Sequence, residues 1–252
     1  DQVANKKRVH SNLSQLPSPS SLNSNNLQIH ANDLNPASYT AMLQNAALNK
    51  IKFQEGDGLG AEADSLPIDA KTCQTKNMKN MPPLFVYNQC GRAFLRSYAS
   101  RTCSLPHEIV MNLPANATDF LDAMVGLATL AGKKKKTDKN DDNNDDGGGD
   151  EEDEVIMPRV HVYGFSSEDD GVLDMAERAC AIMGCSVSAL GERDMTTNVA
   201  SPGKWSGHLV RDVAPKKLMI CLSFYLPEEV AFAAPPSNSV TASTASKRKR
   251  ED

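Results

Sequence analysis

The chain of 252 residues is poor in the residues that fill large cores. Aromatic residues make up only 5% of it and hydrophobic residues 40%, below the apolar share of about 45–50% in typical globular domains. The apolar residues that are present occur in clusters, which wide polar gaps separate. We therefore expect one folded domain together with polar segments that add little to its core.

Patterns for metal binding and for membrane insertion are also missing. Six cysteines occur, but none forms a Cys-x-x-Cys pair, and no Cys/His cluster has the spacing of a zinc site. No apolar run approaches the ~20 residues that span a bilayer. We expect an intracellular protein with reduced thiols, and neither a metal nor a membrane as partner.

The net charge of −5 comes from one segment of the chain. Residues 133–154 contain five Lys and ten Asp or Glu, whereas the rest of the chain has 22 basic and 22 acidic residues. A low-complexity tract of this kind, with three glycines, is typical of a solvated insert. The alternative is an acidic calcium loop, which needs a fixed spacing of acids and a closing Glu. The acidity therefore does not exclude a nucleic-acid partner.

Hydrophobic periodicity predicts strands that alternate with helices. Strands are predicted at 27–31, 84–87, 107–111, 159–165, 208–213 and 218–225. Helices are predicted at 35–49, 117–130 and 173–183, with Gly184 as a C-cap, and a short helix or turn at 92–98. This order predicts an α/β fold with a mostly parallel sheet, to which the final hairpin adds one antiparallel strand.

The domain boundaries are predicted to follow the polar gaps. Residues 1–26 are expected to be a disordered segment or insert, and residues 233–252 a disordered tail. One domain is expected over 27–232, with polar inserts at about 54–83, 133–156 and 191–206. The tail ends in Lys247-Arg-Lys-Arg250, which is typical either of a nuclear import signal or of a solubilising or RNA-contacting tail.

Candidate site residues follow the predicted strands, because open α/β sheets bind ligands beyond the carboxyl ends of their strands. Asp33 can accept the two hydroxyls of a ribose, or it can cap the next helix. In Tyr87-Asn-Gln-Cys-Gly-Arg92, Gly91 allows a flat ring to lie close to the backbone, or it simply forms a turn. Asn112-Leu-Pro114 offers a rigid donor–acceptor edge to a planar amide such as a nucleobase, or it too is only a turn.

Taken in this order, these segments resemble the eukaryotic and archaeal tRNA (guanine-37-N1)-methyltransferases. Near the start, the similar segments are Asn32-Asp-Leu-Asn-Pro36 with Leu48-Asn-Lys50, and Asn88-Gln-Cys-Gly-Arg92, which is similar to the family's Asn-x-Asp-Gly-Arg. The family's catalytic loop and the helix after it are similar to Met111-Asn-Leu-Pro-Ala-Asn-Ala-Thr-Asp-Phe-Leu-Asp122. Its last strands are similar to Val160-His-Val-Tyr-Gly-Phe165 and Val210-Arg-Asp-Val-Ala-Pro-Lys216. The resemblance covers residues 27–53, 84–130 and 157–232.

The resemblance implies a Rossmann-like class I methyltransferase domain that uses S-adenosylmethionine (SAM) to methylate N1 of guanosine 37 in tRNA. By motif position, Asp33 and Leu34 would contact the ribose and adenine of the cofactor. Cys90 and Gly91 would flank the adenine. The implied partner is the anticodon stem-loop of tRNA, and we expect the protein to be a monomer.

The residues that the resemblance places at the reaction are Asn112 and Pro114. Asn112 would lie between the cofactor and the target guanine, where it would also contact the cofactor, and Pro114 would shape that pocket. N1 of guanine carries a proton, so a base must remove it as N1 attacks the methyl group, and the guanine must leave the anticodon stack. Asn112 can orient the guanine edge, but it cannot accept a proton at neutral pH.

Two features depart from the pattern of the family. Cys90 stands where the family has Asp, and because a thiol is a poor acceptor for the adenine amino group, we predict that SAM binding is weaker by ~1–2 kcal/mol. The family's Asp-x-Phe-Ala-Gly-x-Gly-Pro loop does not precede Asp33, and the chain begins at Asp1 rather than Met. We therefore expect an N-terminally truncated piece of a longer protein with an incomplete SAM pocket. Its general base and its tRNA-binding domains would lie upstream of residue 1.

Two alternative functions remain open. The aminocarboxypropyl transferase of wybutosine synthesis uses the same cofactor and a similar Asn-Leu-Pro loop, although the segment Val210-Arg-Asp-Val-Ala-Pro-Lys216 favours the methyltransferase. The other alternative is a non-catalytic RNA-binding relative. The expected compartment is the nucleus, the cytoplasm or the mitochondrial matrix.

Overall fold

The computed structural model describes residues 27–56, 83–113, 115–135, 155–197 and 199–234. Several predictions lie outside these residues: those for 1–26, for the tail with Lys247-Arg-Lys-Arg250, for most of the inserts at 54–83 and 133–156, and for Pro114. The described residues form two compact units, the first with residues 27–56 and 83–88 and the second with residues 89–234.

The first unit is a three-stranded parallel sheet with one helix. Its elements are β1 (Ile29–Asn32), α1 (Pro36–Leu48), β2 (Phe53–Glu55) and β3 (Leu84–Tyr87), and β3 lies between β1 and β2. Helix α1 begins where the side chain of Asn35 accepts the N–H of Ala37 at 2.9 Å, with Pro36 at the first helical position. The predicted strands and helix of this unit are confirmed to within two residues.

The second unit is a five-stranded sheet with helices and turns between its strands. Its helical elements are α2 (Gly91–Thr102), a 3-10 helix (Ala117–Met124), α3 (Leu127–Leu130), α4 (Gly171–Met183), a 3-10 turn (Val187–Leu190) and α5 (Glu228–Ala231). Its strands are β4 (Glu108–Met111), β5 (Arg159–Ser166), β6 (Glu192–Arg193), β7 (Lys204–Ala214) and β8 (Lys217–Tyr225).

The order of this sheet is β4-β5-β8-β7-β6. Strand β8 runs antiparallel to both of its neighbours, whereas β4 pairs in parallel with β5 and β6 pairs in parallel with β7. The α/β class with a mostly parallel sheet and one antiparallel strand from the closing hairpin is therefore confirmed. The division of the strands between two sheets is a feature that their order along the chain does not predict.

The core of the second unit lies on one face of its sheet. Alternation along β5 buries Val160 and Val162 on that face and leaves His161 half-buried on the other. Helix α4 packs closely here because β5 carries Gly164, where a Cβ would lie only 2.4 Å from the sulfur of Met175. The largest fully buried side chains of this core include those of Leu121, Met124, Leu127, Ile220, Leu222 and Phe224.

The helix predicted at 117–130 is divided in the structure into a 3-10 helix and the short α3. The division occurs at Gly126, which has φ +74° and donates its N–H to the carbonyl of Val230 at 2.9 Å. This left-handed backbone is accessible to glycine and ends the preceding helical turn. Helix α2 is longer than the segment 92–98 that periodicity indicates, and the predicted cap Gly184 is confirmed with φ +72°.

Two short strands lie in segments that the sequence indicates as inserts. Strand β2 begins the segment at 54–83, and the segment at 191–206 contains β6 and the first residues of β7. Trp205 and Ser206, at 3% and 0% exposure, are part of the core there. The segment 191–206 thus supplies an edge of the sheet, and its description as an insert stays a prediction.

Candidate functional site

Asp33, at the end of β1, lies beside the end of β3. Its N–H donates to the carbonyl of Tyr87 at 3.2 Å, and its own carbonyl accepts from the side-chain amide of Asn88 at 2.7 Å. One carboxylate oxygen, Oδ1, accepts the N–H of Asn35 at 2.8 Å, which forms a turn ahead of α1. Asn35 itself is the helix cap, so the alternative in which Asp33 caps the helix is wrong. The second oxygen accepts no hydrogen bond from the described residues and can bind a ligand hydroxyl.

Leu34 presents an apolar side chain next to this carboxylate. It is 65% exposed and follows the last residue of β1 by two positions. An exposed leucine beside an open carboxylate fits a ligand that combines hydroxyl groups with a flat apolar ring, such as a nucleoside. The assignment of Asp33 and Leu34 to the ribose and adenine of the cofactor agrees with this geometry and stays a prediction.

Cys90 and Gly91 form the start of helix α2 in the second unit. Cys90 is the N-cap residue: its carbonyl accepts the N–H of Phe94 at 2.8 Å, but its exposed thiol makes no capping hydrogen bond. The first N–H groups of α2 therefore lack the side-chain acceptor that Asp, Asn or Ser supplies at this position. A polar ligand atom near this helix end would find donors that no cap occupies.

An aromatic ring of the protein lies close to Gly91. A Cβ at Gly91 would lie 3.4 Å from Cδ1 and 3.6 Å from Cε1 of Phe120, within ordinary van der Waals contact. A Cβ would therefore fit beside Phe120, and the prediction that Gly91 makes room for a flat ligand ring stays a prediction. The adenine contact predicted for Cys90 and Gly91 stays a prediction.

Arg92 connects this helix start to the 3-10 helix. Its Nε lies 2.7 and 2.8 Å from the two carboxylate oxygens of Asp122, and its Nη2 donates to the carbonyl of Asp119 at 2.6 Å. The guanidinium carbon also lies 4.2 Å from the centroid of the Phe120 ring. Sequence reasoning gave Arg92 no role, although Arg92 and Asp122 end two of the motifs that carry the family resemblance.

Asn112 follows β4 and is exposed, and its side chain makes no hydrogen bond with any described residue. The next residue, Leu113, is 50% exposed, and its carbonyl accepts the N–H groups of Asn116 at 2.9 Å and Ala117 at 2.7 Å. The segment is therefore a turn that leads into the 3-10 helix, and it leaves the amide of Asn112 available to a ligand. Pro114 lies outside the described residues.

The predicted site residues are divided between the two units. Asp33 and Leu34 lie in the first unit, and Cys90, Gly91 and Asn112 lie in the second. Each group lies within four residues of the end of a strand, as expected for ligand-binding residues of an α/β sheet. Within the second unit, the 3-10 helix connects the Cys90 segment to the Asn112 segment through the contacts given above.

A second polar cluster lies on the half-buried face of the five-stranded sheet. Glu108 accepts hydrogen bonds from Arg159 and lies 3.1 Å from Nε2 of His161, whose Nδ1 lies 2.8 Å from the hydroxyl of Ser223. An acid, a histidine and a serine in a row resemble a nucleophilic triad. Ser223 is only 1% exposed, so no substrate reaches its hydroxyl, and the cluster satisfies buried polar groups instead.

Neither a membrane-spanning helix nor a metal-binding cluster occurs in the part of the chain that the structure describes. No helix there is long and apolar enough to cross a bilayer. No group of three or more His, Cys, Asp or Glu side chains in those ranges could hold a metal ion.

The chain is similar to proteins named tRNA (guanine(37)-N(1))-methyltransferase. It is 34% identical over 210 residues to the protein from Phytophthora infestans, an alignment that covers 83% of this chain and 35% of that protein. Against the Danio rerio protein, the identity is 32% over 208 residues, which cover 80% of this chain and 31% of the relative. For the Xenopus tropicalis protein, the identity is 30% over 209 residues, which cover 82% of this chain and 31% of the relative. The chain spans about a third of the length of these relatives.

Comparisons with protein-family models and with solved structures show no closer similarity. No protein-family model matches the chain. Among solved structures, the chain is similar to Trm5b from Pyrococcus abyssi with 14% identity and a TM-score of 0.34, covering 79% of this chain and 37% of that one. This likeness is too weak to bear on the fold, which follows from the strand pairing described above. Over 83% of its length, however, the chain is a homologue of the tRNA (guanine(37)-N(1))-methyltransferases, which confirms the resemblance of its strand-end motifs.

Proposed function

We propose that this chain forms the cofactor- and guanine-binding part of an enzyme that transfers a methyl group from SAM to N1 of guanosine 37 in tRNA. The observation that carries the proposal is the similarity, over about four-fifths of the chain, to relatives named for this reaction. The positions of Asp33, Cys90 and Asn112 directly after strands support it, because α/β sheets bind ligands there. The anticodon stem-loop is the proposed RNA partner.

The residues after β1 have the chemistry that a nucleoside cofactor requires. The open carboxylate oxygen of Asp33 can accept a ribose hydroxyl, and the exposed side chain of Leu34 can cover one face of an adenine. When bound, SAM supplies a methyl group that is made electrophilic by a positively charged sulfur. The task of these two residues is to hold the cofactor in one orientation. This raises the rate because the cofactor loses its orientational entropy on binding and not in the reaction step.

Asn112 is proposed to orient the target guanine. Its exposed amide offers one acceptor and two donor hydrogens, which can pair with acceptor and donor groups on the edge of guanine. An amide does not take up a proton at neutral pH, so the proton on N1 must leave to another group. The contribution of Asn112 is therefore position and hydrogen bonding, not proton transfer.

The names of the relatives favour methyl transfer over aminocarboxypropyl transfer. The compartment proposed for the reaction is the nucleus, the cytoplasm or the mitochondrial matrix, and the protein is proposed to act as a monomer.

The test uses protein expressed from the full open reading frame, labelled SAM and a tRNA transcript with guanosine at position 37. Asn112→Ala should lower the rate of methyl transfer by roughly a hundredfold, the size of a lost orienting contact. The matched control is Asn45→Ala, because Asn45 is an exposed asparagine on α1. Equal rates for Asn112→Ala and the control, or methyl transfer to a transcript with adenosine at position 37, would overturn the proposal.

A further inference from the structure

We infer that Arg92 is a positioning residue, which holds the Cys90–Gly91 segment and the Asn112 segment at a fixed spacing. Its side chain extends from the first turn of α2 to the 3-10 helix that follows Asn112. The catalytic consequence of this inference rests on the proposed function. The structural link between the two segments does not, and it can be tested by itself.

Three contacts in different directions fix the guanidinium of Arg92. The side chain of Asp122 accepts from Nε, the backbone carbonyl of Asp119 accepts from Nη2, and the ring of Phe120 lies against the guanidinium plane. The side chains of Arg92 and Asp122 are 39% and 43% exposed, and an ion pair that is this exposed adds little stability. The arrangement therefore serves geometry more than stability, since a planar group with three partners has one orientation.

The 3-10 helix transmits this orientation to Asn112. The N–H groups of Asn116 and Ala117, at its start, both donate to the carbonyl of Leu113, the residue after Asn112. Ala117 is 1% exposed, so the start of the 3-10 helix is anchored in the core. A shift of Asp119 or Phe120 would therefore move the backbone of Leu113 and, with it, the amide of Asn112.

Arg92 also lies close to the Cys90–Gly91 segment. Arg92 is only two residues from Cys90, and the Phe120 ring that contacts its guanidinium also lies 3.4 Å from the position of a Cβ on Gly91. One aromatic ring thus lies over the arginine and beside Gly91 of the predicted adenine-binding segment. The two segments are connected through Phe120 as well as through the ion pair.

The test measures amide hydrogen exchange in this chain. In Arg92→Ala, the N–H groups of Asn116 and Ala117 should exchange faster on the order of tenfold, the effect of losing a charged hydrogen bond. The matched control is Arg101→Ala, which makes the same change on an exposed residue of α2. Exchange at Val160 and Val162, buried in β5, reports whether the domain stays folded.

A lysine at position 92 tests whether the shape of the guanidinium is needed. Arg92→Lys should fail to restore slow exchange, because an ammonium group cannot make the three contacts at once. Exchange at Asn116 and Ala117 that is as slow in Arg92→Ala as in the parent protein would overturn the inference. If Arg92→Ala loses protection in β5 as well, Arg92→Lys decides in the same way.

The catalytic consequence of the inference is tested by measuring methyl transfer with the protein expressed from the full open reading frame. Arg92→Ala should lower kcat roughly tenfold to a hundredfold, since a displacement of about 1 Å can cost that much. Faster exchange with an unchanged kcat would overturn the catalytic role. A parent protein that transfers no methyl group would instead overturn the proposed function, and the exchange result would still decide the structural link.

Discussion

The side-chain amide of Asn88 donates a hydrogen bond to the backbone carbonyl of Asp33 at 2.7 Å, and so joins the residues that follow β3 and β1. The two residues are far apart in the chain, and each begins or occupies a motif that carries the family resemblance. The backbone bond from Asp33 to the carbonyl of Tyr87 adds a second link. Together they fix the backbone of Asp33, from which the carboxylate extends, and this gives Asn88 a physical role in the site.

Asn88→Ala should therefore weaken SAM binding more than it weakens the fold. The hydrogen bond is exposed, so its loss should cost no more than about 0.5–1.5 kcal/mol of unfolding free energy. The affinity for SAM should fall several-fold because Asp33 is less well oriented. Titration of the full-length protein with SAM checks this, with Asn45→Ala as control, and an unchanged dissociation constant would show that Asn88 does not orient the site.

Cys90→Asp should improve both the helix and the cofactor site. As N-cap of α2, an aspartate would accept an N–H that the thiol leaves without a capping partner, worth about 1 kcal/mol of stability. It would also accept the adenine amino group and so tighten SAM binding by ~1–2 kcal/mol. The control is Cys90→Ser, which caps the helix without a charge.

Thermal unfolding and SAM titration separate the two effects of this substitution. Both variants should raise the unfolding temperature, whereas only Cys90→Asp should bind SAM markedly more tightly. An affinity that is equal in Cys90→Asp and the parent protein would sink the adenine contact assigned to this position.

Gly91→Ala distinguishes a ligand-binding glycine from a simple turn. The added methyl group meets Phe120 at 3.4 Å and more, and alanine is favoured in helices, so the free energy of unfolding should be unchanged or slightly higher. If the adenine lies against this backbone, the dissociation constant of SAM should rise by roughly tenfold, because a methyl group occupies the contact surface. Unfolding curves and SAM titration on the same samples measure both, and unaltered SAM binding would favour the turn.

Glu108 should make stability depend on pH in the acid range. Burial alone would raise the pKa of Glu108, but the hydrogen bonds and charges of Arg159 and His161 outweigh it and hold this pKa below its ordinary value of 4.5. Because the folded-state pKa is depressed, the contribution of the carboxylate is complete above pH 4.5 and is lost as the pH falls through the folded-state value.

Denaturant unfolding of Glu108→Gln and the parent protein, from neutral pH to well below the ordinary pKa of glutamate, checks this. The difference between the two free energies of unfolding should shrink as the pH falls. A difference that does not vary with pH would mean that the ion pair with Arg159 contributes nothing to the fold.

Much of the fold could be predicted because its strands carry local patterns. Short apolar runs identify Leu84–Tyr87 and β8, and the hairpin turn between β7 and β8 falls at Pro215 and Lys216. Strands β2 and β6 have three and two residues, too few for a period, and they form only by pairing with longer strands. The break at Gly126 did have a local signal, since a glycine within a helical pattern often ends it.

The site was predictable where one residue type implies one chemistry, and less so where contacts cross the chain. The sequence Asn35-Pro36 contains the helix cap and its first residue, so it could have shown that Asp33 is not the cap. The contact of Arg92 with Asp122 joins residues 30 positions apart, and periodicity carries no information about such pairs. It becomes visible only when α2 and the 3-10 helix are placed side by side.

Methyl transfer to N1 of guanosine 37 is tested most directly by the identity of the nucleoside at position 37 after tRNA is incubated with the full-length protein and SAM. We predict guanosine with one added methyl group on N1, which removes the Watson–Crick donor and stops reverse transcription at that position. Unmodified guanosine, a methyl group on another atom, or the larger mass of an aminocarboxypropyl group would contradict it.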